Sequence, residues 1–176
     1  MLLQSARKVN SEETHSHLKD AHQRVMSIAT LQKQLATTQE GEVNLRNYLT
    51  ELCESISASM IADPGFLSLS TNVDDSKVDA RVSVSLGLIV TELVINSLKH
   101  AFNSSTRAGK IVVNYRASSS EWVLQVDDNG IGFDRESSAA KPGLGTGIVE
   151  ALASQLDAEV RISDTHPGTR VTVSHG

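Results

Sequence analysis

Three short runs hold residues whose types and spacing suit phosphate chemistry. The first contains Glu92, Asn96 and Lys99. On an α-helix, at about 100° per residue, these fall within about 60° of each other. An acid, an amide and an ammonium on one helix edge suit a magnesium-bound triphosphate. Mg²⁺ takes hard oxygen ligands and keeps several waters, while a cation meets the phosphates. Those positions equally describe the solvent edge of an ordinary amphipathic helix.

The second run is Asp127-Asp128-Asn129-Gly130-Ile131-Gly132. Asp128 is in phase with Trp122, Leu124 and Val126, so it points to the buried face at a strand end. A carboxylate there is costly unless something hydrogen-bonds it, and the exocyclic amine of adenine is a suitable donor. Glycines let the backbone pass close under a flat base. The bland alternative is a hairpin turn, since Asp-Asn-Gly is strong turn chemistry in any protein. The third run, Gly143-Leu144-Gly145-Thr146-Gly147, opens a helix. Glycines there expose backbone N–H groups to an anion. No Gly-Lys-Ser/Thr follows at the Walker A spacing, and no parallel βαβ unit surrounds it. The preceding segment, residues 134–142, reads as a lid with Lys141 available to phosphate, or as a plain surface loop.

Positioning these runs requires a particular set of elements. Leu18, Ala21, Val25, Ile28 and Leu35 follow a 3-4 spacing, the narrow stripe of a helix in a bundle. Leu2, Leu3, Ala6 and Val9 form the tail of an earlier helix, and Asn10-Ser11 supplies a turn and a cap. Gly41 breaks the pattern, and Asn44 can cap a third helix striped by Leu45, Leu49, Leu52, Ile56 and Met60. After Asp63-Pro64-Gly65 the period becomes two at Leu67, Leu69, Thr71 and Val73, which predicts a strand. A long helix starting at Ser83 or Ser85 runs to about Phe102. A hairpin follows, with Ile111, Val113 and Tyr115 on one arm and Trp122, Leu124 and Val126 on the other. The chain ends with a helix over 148–156 and two strands, at Val160/Ile162 and Val171/Val173, joined by His166-Pro167-Gly168. Helices first, then an α+β module with an antiparallel sheet, is the expected order.

Composition narrows the function classes. The 176 residues are 39% hydrophobic and 21% charged, with a net charge of −5. The acidic balance argues against a nucleic-acid binder, which needs a basic face. Cys53 is the only cysteine, so neither an internal disulfide nor a thiolate metal cluster can form. No run approaches the roughly 18–20 apolar residues of a membrane span. Membrane contact is not expected, and the expected compartment is the reducing cytoplasm.

Order and spacing make the three runs jointly specific. They resemble the N, G1 and G2 boxes of the GHKL ATPase superfamily, to which histidine kinases and gyrase B belong. Glu92-Leu93-Val94-Ile95-Asn96 with Lys99-His100 resembles the N box, Asp128-x-Gly130-x-Gly132 the G1 box and Gly143-x-Gly145 the G2 box. Gly168-Thr169 matches the late Gly-Thr of that fold. Residues 91–102 and 143–153 are similar to bacterial sensor histidine kinases of the second HisKA type, relatives of the HWE kinases. Arg24-Val25 with Ile28-Ala29 resembles their second dimerisation helix. Thr91 departs from the strict HWE pattern, which has histidine there.

This resemblance implies a two-layer α/β sandwich, the GHKL or Bergerat fold, over 42–176, preceded by a partial dimerisation hairpin over 1–41. It implies ATP and Mg²⁺ as ligands: Asn96 on the metal, Glu92 beside it through water or as a base, and Asp128 on adenine N6. Lys99, His100 and Lys141 fall near phosphate, and Thr169 near adenine. Gly130, Gly132, Gly143, Gly145 and Gly147 provide backbone access and lid hinges, and Thr146 among them is a further nucleotide-binding residue. The implied partners are a response-regulator receiver domain and, in the full-length kinase, a second copy of the chain. Nothing matches the acceptor motif His-Arg-x-x-Asn-x-Leu, so the acceptor histidine is expected upstream of Met1, with His22 the weaker candidate. The chain alone is therefore expected to bind ATP without labelling itself. The rival readings are a phosphotransfer adaptor that has lost ATP binding and an anti-sigma-type serine kinase.

Overall fold

The computed structural model of the chain describes residues 18, 21–22, 24–30, 32, 41–102, 108–132 and 144–176. The expected tail of an earlier helix, Leu35, Lys141, Gly143 and the 134–142 segment lie outside the described residues. Residues 24–30 are helical. After them run β1 (Glu42–Asn44), α1 (Leu45–Met60), β2 (Leu67–Val73), β3 (Lys77–Asp79) and α2 (Ala80–His100). Then come β4 (Gly109–Ala117), β5 (Trp122–Asp128), α3 (Leu144–Gln155), β6 (Glu159–Asp164) and β7 (Thr169–His175).

Five strands form one sheet in the order β2-β4-β5-β7-β6. The sheet, expected to be mainly antiparallel, is mixed. β2 pairs parallel with β4, and the remaining neighbours are antiparallel. The reason is connectivity: α2 lies between β2 and β4 in the chain, and a helical crossover brings strands back in the same direction. β4 and β5 form the expected hairpin, closed by Ser118 N–H donating to the Glu121 carbonyl at 2.8 Å. β1 and β3 make a separate two-stranded ribbon that the sequence reading missed. Strands of three residues are too short to show a period of two.

Period-two alternation buries Ile111, Val113, Tyr115, Leu124, Val126 and Val173 on one face of the sheet. Those side chains share a core with Leu45, Tyr48, Leu49, Leu52 and Ile56 of α1, with Leu86, Ile89, Val90 and Val94 of α2, and with Val149 and Ala153 of α3. α1 therefore packs as a member of this core. Its start is capped as expected, by Asn44 Oδ1 accepting from Asn47 N–H at 3.0 Å.

α2 begins earlier than Ser83. Asp79 is the cap, its carboxylate accepting from Val82 N–H at 2.9 Å, and Ser83 is fully buried with its hydroxyl on the Asp79 carbonyl. From Ser85 to Ile95 almost every residue is buried. The polar edge expected along α2 is therefore divided by depth: Glu92 is 2% exposed, Asn96 is half-buried and Lys99 is exposed. Thr91, where the HWE pattern has histidine, is a satisfied core residue whose hydroxyl donates to the Gly87 carbonyl at 2.8 Å. Among the described residues only α2 is long and apolar enough to cross a membrane, and 61% of its apolar window lies inside the fold.

Burial pushes the Cys53 thiol up to about 12, with Glu54 adding to the rise. Thiolate is the reactive form. Iodoacetamide at pH 8 is accordingly expected to leave Cys53 unmodified in the native chain and to alkylate it in denaturant, as read by intact mass.

Candidate nucleotide site

β5 carries Asp128 to the bottom of a cleft between α2, α3 and the β6–β7 end of the sheet. The side chain is 8% exposed. Its Oδ1 accepts from Gly130 N–H at 3.0 Å and Thr169 N–H at 3.2 Å, and its Oδ2 accepts from the Ser97 hydroxyl at 3.1 Å. An ionised carboxylate has about four acceptor positions, so Asp128 retains capacity for one more donor while lining the cleft.

Two glycines allow this arrangement. A Cβ on Gly130 would stand 2.1 Å from the Ala101 carbonyl oxygen, and one on Gly168 would stand 1.8 Å from the Asp128 carbonyl oxygen. Gly168 also has φ of +105°. The chain after β5 thus lies directly on the end of α2, where Ile131 N–H donates to the Ala101 carbonyl at 2.8 Å.

α3 starts at Leu144, earlier than the expected residue 148. Gly145, Thr146 and Gly147 therefore belong to its first turn and not to a loop ahead of it. The physical consequence is close packing on α2. A Cβ on Gly145 would stand 2.8 Å from Glu92 Oε2 and 3.5 Å from Asn96 Oδ1. Glu92 and Asn96, one turn apart on α2, thus both reach the N-terminal turn of α3. Gly147 has nothing within 4 Å of a would-be Cβ.

The cleft encloses about 410 Å³, within the roughly 300–1,000 Å³ of small-molecule sites. Of the residues singled out in the sequence, it brings together Asn96, His100, Asp128, Gly132, Gly145, Thr146 and Thr169. Glu92 lies deeper, beside Gly145, and Lys99 is outside the lining. The sequence reading missed Ser97 and Glu150. It also missed the apolar wall of Leu93, Val149, Val160, Ile162 and Val171. The strand alternation at Val160 and Ile162 was a signal for the wall. Nothing local marks Ser97, whose partner Asp128 is 31 residues away.

The helix at 24–30 reaches this region too. Arg24 Nε donates to Glu92 Oε1, and its Nη2 donates to Glu92 Oε2 at 3.0 Å. Three residues on, the Ser27 carbonyl accepts from the Tyr48 hydroxyl at 3.2 Å, with Ser27 and Tyr48 both buried. Gly87 makes room for that hydroxyl, since a Cβ there would stand 1.9 Å from it.

The comparisons with known proteins agree with this geometry. The model of the histidine kinase-, DNA gyrase B-, and HSP90-like ATPase family matches residues 81–175, and the chain belongs to that family. The histidine kinase model HisKA_2 matches residues 1–60. Sensor histidine kinase PdtaS of Mycolicibacterium smegmatis is 28% identical over 174 residues, covering 96% of this chain and 34% of that protein. Blue-light-activated histidine kinase 2 of Erythrobacter litoralis is 28% identical over 133 residues, covering 74% of the chain and 38% of that protein. The chain thus spans about a third of the length of these curated relatives. The solved Erythrobacter litoralis EL346 blue-light activated histidine kinase superposes with a TM-score of 0.78 at 24% identity, covering 90% of this chain and 49% of that one. Serine-protein kinase RsbW of Listeria innocua is 30% identical over 96 residues, only 51% of the chain. The match at residues 1–60 and the breadth of the histidine kinase matches favour the histidine kinase reading over the serine kinase and the adaptor.

Proposed function

We propose that this chain is the catalytic, ATP-binding part of a cytoplasmic two-component sensor histidine kinase. Residues 1–41 belong to its dimerisation and phosphotransfer hairpin, and residues 42–176 hold the nucleotide. The observation that carries the reading is Asp128, a buried carboxylate with three donors in place and acceptor capacity left toward the cleft. In this reading Asp128 takes the exocyclic amine of adenine, and Val160, Ile162 and Val171 form the apolar wall beside the base. Thr169 closes the adenine end. Asn96, His100, Gly145 and Thr146 face the phosphates at the other.

Among the described residues no group of three His, Cys, Asp or Glu side chains converges on one point. A cation arriving with the triphosphate would keep several waters, and Asn96 would hold it from the protein side. When bound, Mg²⁺ would neutralise charge on the phosphates. The first turn of α3 presents N–H groups and a positive dipole end to the same anion. Phosphoryl transfer depends on positioning and charge neutralisation more than on covalent chemistry by the protein. Here α2 and α3 provide positioning, Glu92 stands beside Asn96, and an acceptor imidazole nitrogen attacks the γ-phosphorus as its bond to the β–γ bridging oxygen breaks, ADP leaves and the imidazole proton passes to Glu92 or to water. A receiver-domain aspartate of a response regulator takes the phosphoryl group next, and a second copy of the chain completes the hairpin bundle. The exposed Leu18, Val25 and Ile28 support that last point.

Titration with Mg-ATP is the direct test. Saturable binding that disappears with excess EDTA supports the reading, and no saturable binding supports the adaptor. Labelling the full-length kinase with γ-³²P ATP separates the other rival: acid-labile label is expected on histidine, and acid-stable label would indicate a serine kinase.

A further inference from the structure

The helix at 24–30 is amphipathic in an unusual sense. Its polar groups face the ATP-binding domain: Arg24 on Glu92, and the Ser27 carbonyl on Tyr48. Its large apolar residues face away, with Val25 63% and Ile28 42% exposed. A helix of this kind bridges two bodies. One side is hydrogen-bonded into the nucleotide domain, and the other is left for apolar packing with further helices.

The inner contacts are specific. Glu92 is 2% exposed, and Arg24 engages both of its oxygens. A buried carboxylate left without such a partner is strongly disfavoured, and a two-pronged guanidinium fixes its orientation as well as its charge. The orientation matters because Glu92 Oε2 would lie 2.8 Å from a Cβ on Gly145, and Asn96 Oδ1 3.5 Å from it. Moving Glu92 therefore disturbs the contact between α2 and α3 at the phosphate end of the cleft. The Tyr48 hydroxyl anchors the same helix one turn on, so its placement does not depend on Arg24 alone.

We infer that Arg24 is a positioning residue for phosphoryl transfer. It fixes the Glu92 carboxylate beside Asn96 and ties that position to the lie of the 24–30 helix, so that rearrangement of the helices packed on Val25 and Ile28 reaches the phosphate end of the cleft. This rests on the kinase reading above. Arg24 is not among the residues that line the cleft. Its effect passes through Glu92 and belongs to the transfer step, not to nucleotide affinity, because neither Arg24 nor Glu92 lines the cleft, whereas Asp128, Val160, Ile162 and Val171 do.

The test uses the full-length kinase with Arg24→Ala, Arg24→Lys, Glu92→Gln and the double variant Arg24→Ala/Glu92→Gln. Phosphohistidine formation under single turnover and ATP affinity by titration are both measured. Arg24→Ala is expected to slow transfer by about tenfold to a hundredfold, the scale of a small misplacement of a reacting constellation. Its ATP Kd is expected to stay within about threefold. Arg24→Lys, which keeps the charge but not the fork, should recover part of the rate. The double variant should be no slower than Glu92→Gln, because both changes remove one interaction. Unfolding of Arg24→Ala would appear as parallel loss of ATP binding, and Arg24→Lys then decides: wild-type transfer by that variant overturns the inference. So does an unchanged or faster Arg24→Ala, or a double variant in which the two losses multiply. Failure of the wild-type kinase to bind ATP would instead refute the function proposed above.

Discussion

Asp128→Asn is expected to weaken ATP binding by about 10- to 100-fold, the scale of one hydrogen bond to a charged group, while the fold survives. The asparagine carbonyl oxygen can still accept from Gly130 N–H and Thr169 N–H, as Oδ1 does in the native chain. The amide nitrogen then occupies the Oδ2 position and donates to the Ser97 hydroxyl, which turns to accept. Toward the cleft, however, the substituted residue presents a donor. An exocyclic amine meets it donor to donor, and a purine with a 6-keto oxygen meets it favourably. The ratio of inosine triphosphate to ATP affinity should therefore rise in the variant even as ATP binding falls. Titrations with both nucleotides, alongside a thermal melt close to wild type, check this. An unchanged ATP Kd would remove Asp128 from the adenine site. Equal loss of both nucleotides with a lowered Tm would make its role purely structural.

Gly168→Ala has the largest expected effect on stability. At φ of +105° an L-residue is strained by about 1–2 kcal/mol. The added methyl would also stand 1.8 Å from the Asp128 carbonyl oxygen and 2.8 Å from Asn129 Cα. Both are backbone atoms at the end of β5, so no side chain can rotate aside. Overpacking of this kind costs about 1–3 kcal/mol more. The combined loss of about 2–5 kcal/mol corresponds to a Tm lower by roughly 4–20 °C for a chain of this size. Any shift of β5 also moves Asp128, so ATP binding should fall with stability. Gly147→Ala is the control. It lies in the first turn of α3 with open space around it, and alanine should be neutral or stabilising by up to about 1 kcal/mol. Differential scanning calorimetry of the two variants decides the point, and equal melting temperatures would show that the Gly168 contact yields at no cost.

The parts legible in the sequence were those with a long enough repeat or a strong local signal. The 3-4 stripe of α1 and its Asn44 cap, and the paired alternation of β4 and β5, folded as read. Asp128 reached the buried face because a strand alternates strictly, and the phase set by Leu124 and Val126 carries through to it. The start of α2 was misread because serines compete as caps, while Asp79 lies beyond the apolar run. The start of α3 was misread because glycines at 143, 145 and 147 suggest a loop, whereas Gly145 packs on α2 within the first helical turn. The β1–β3 ribbon pairs residues about 35 positions apart, which no window along the chain can reveal.

By itself the sequence determined which groups this protein offers for chemistry. Glu92, Asn96, Asp128 and the paired glycines are set by residue type and by short-range periodicity, and those are properties of neighbours in the chain. Tertiary structure alone decided how these groups are used. It sank Glu92 beneath Arg24, left Lys99 outside the cleft, put Ser97 on Asp128 and raised a wall from Val160, Ile162 and Val171. Each of those outcomes depends on contacts between distant segments. Burial and pairing of a polar group are fixed by what packs against it, and a single element does not contain that information.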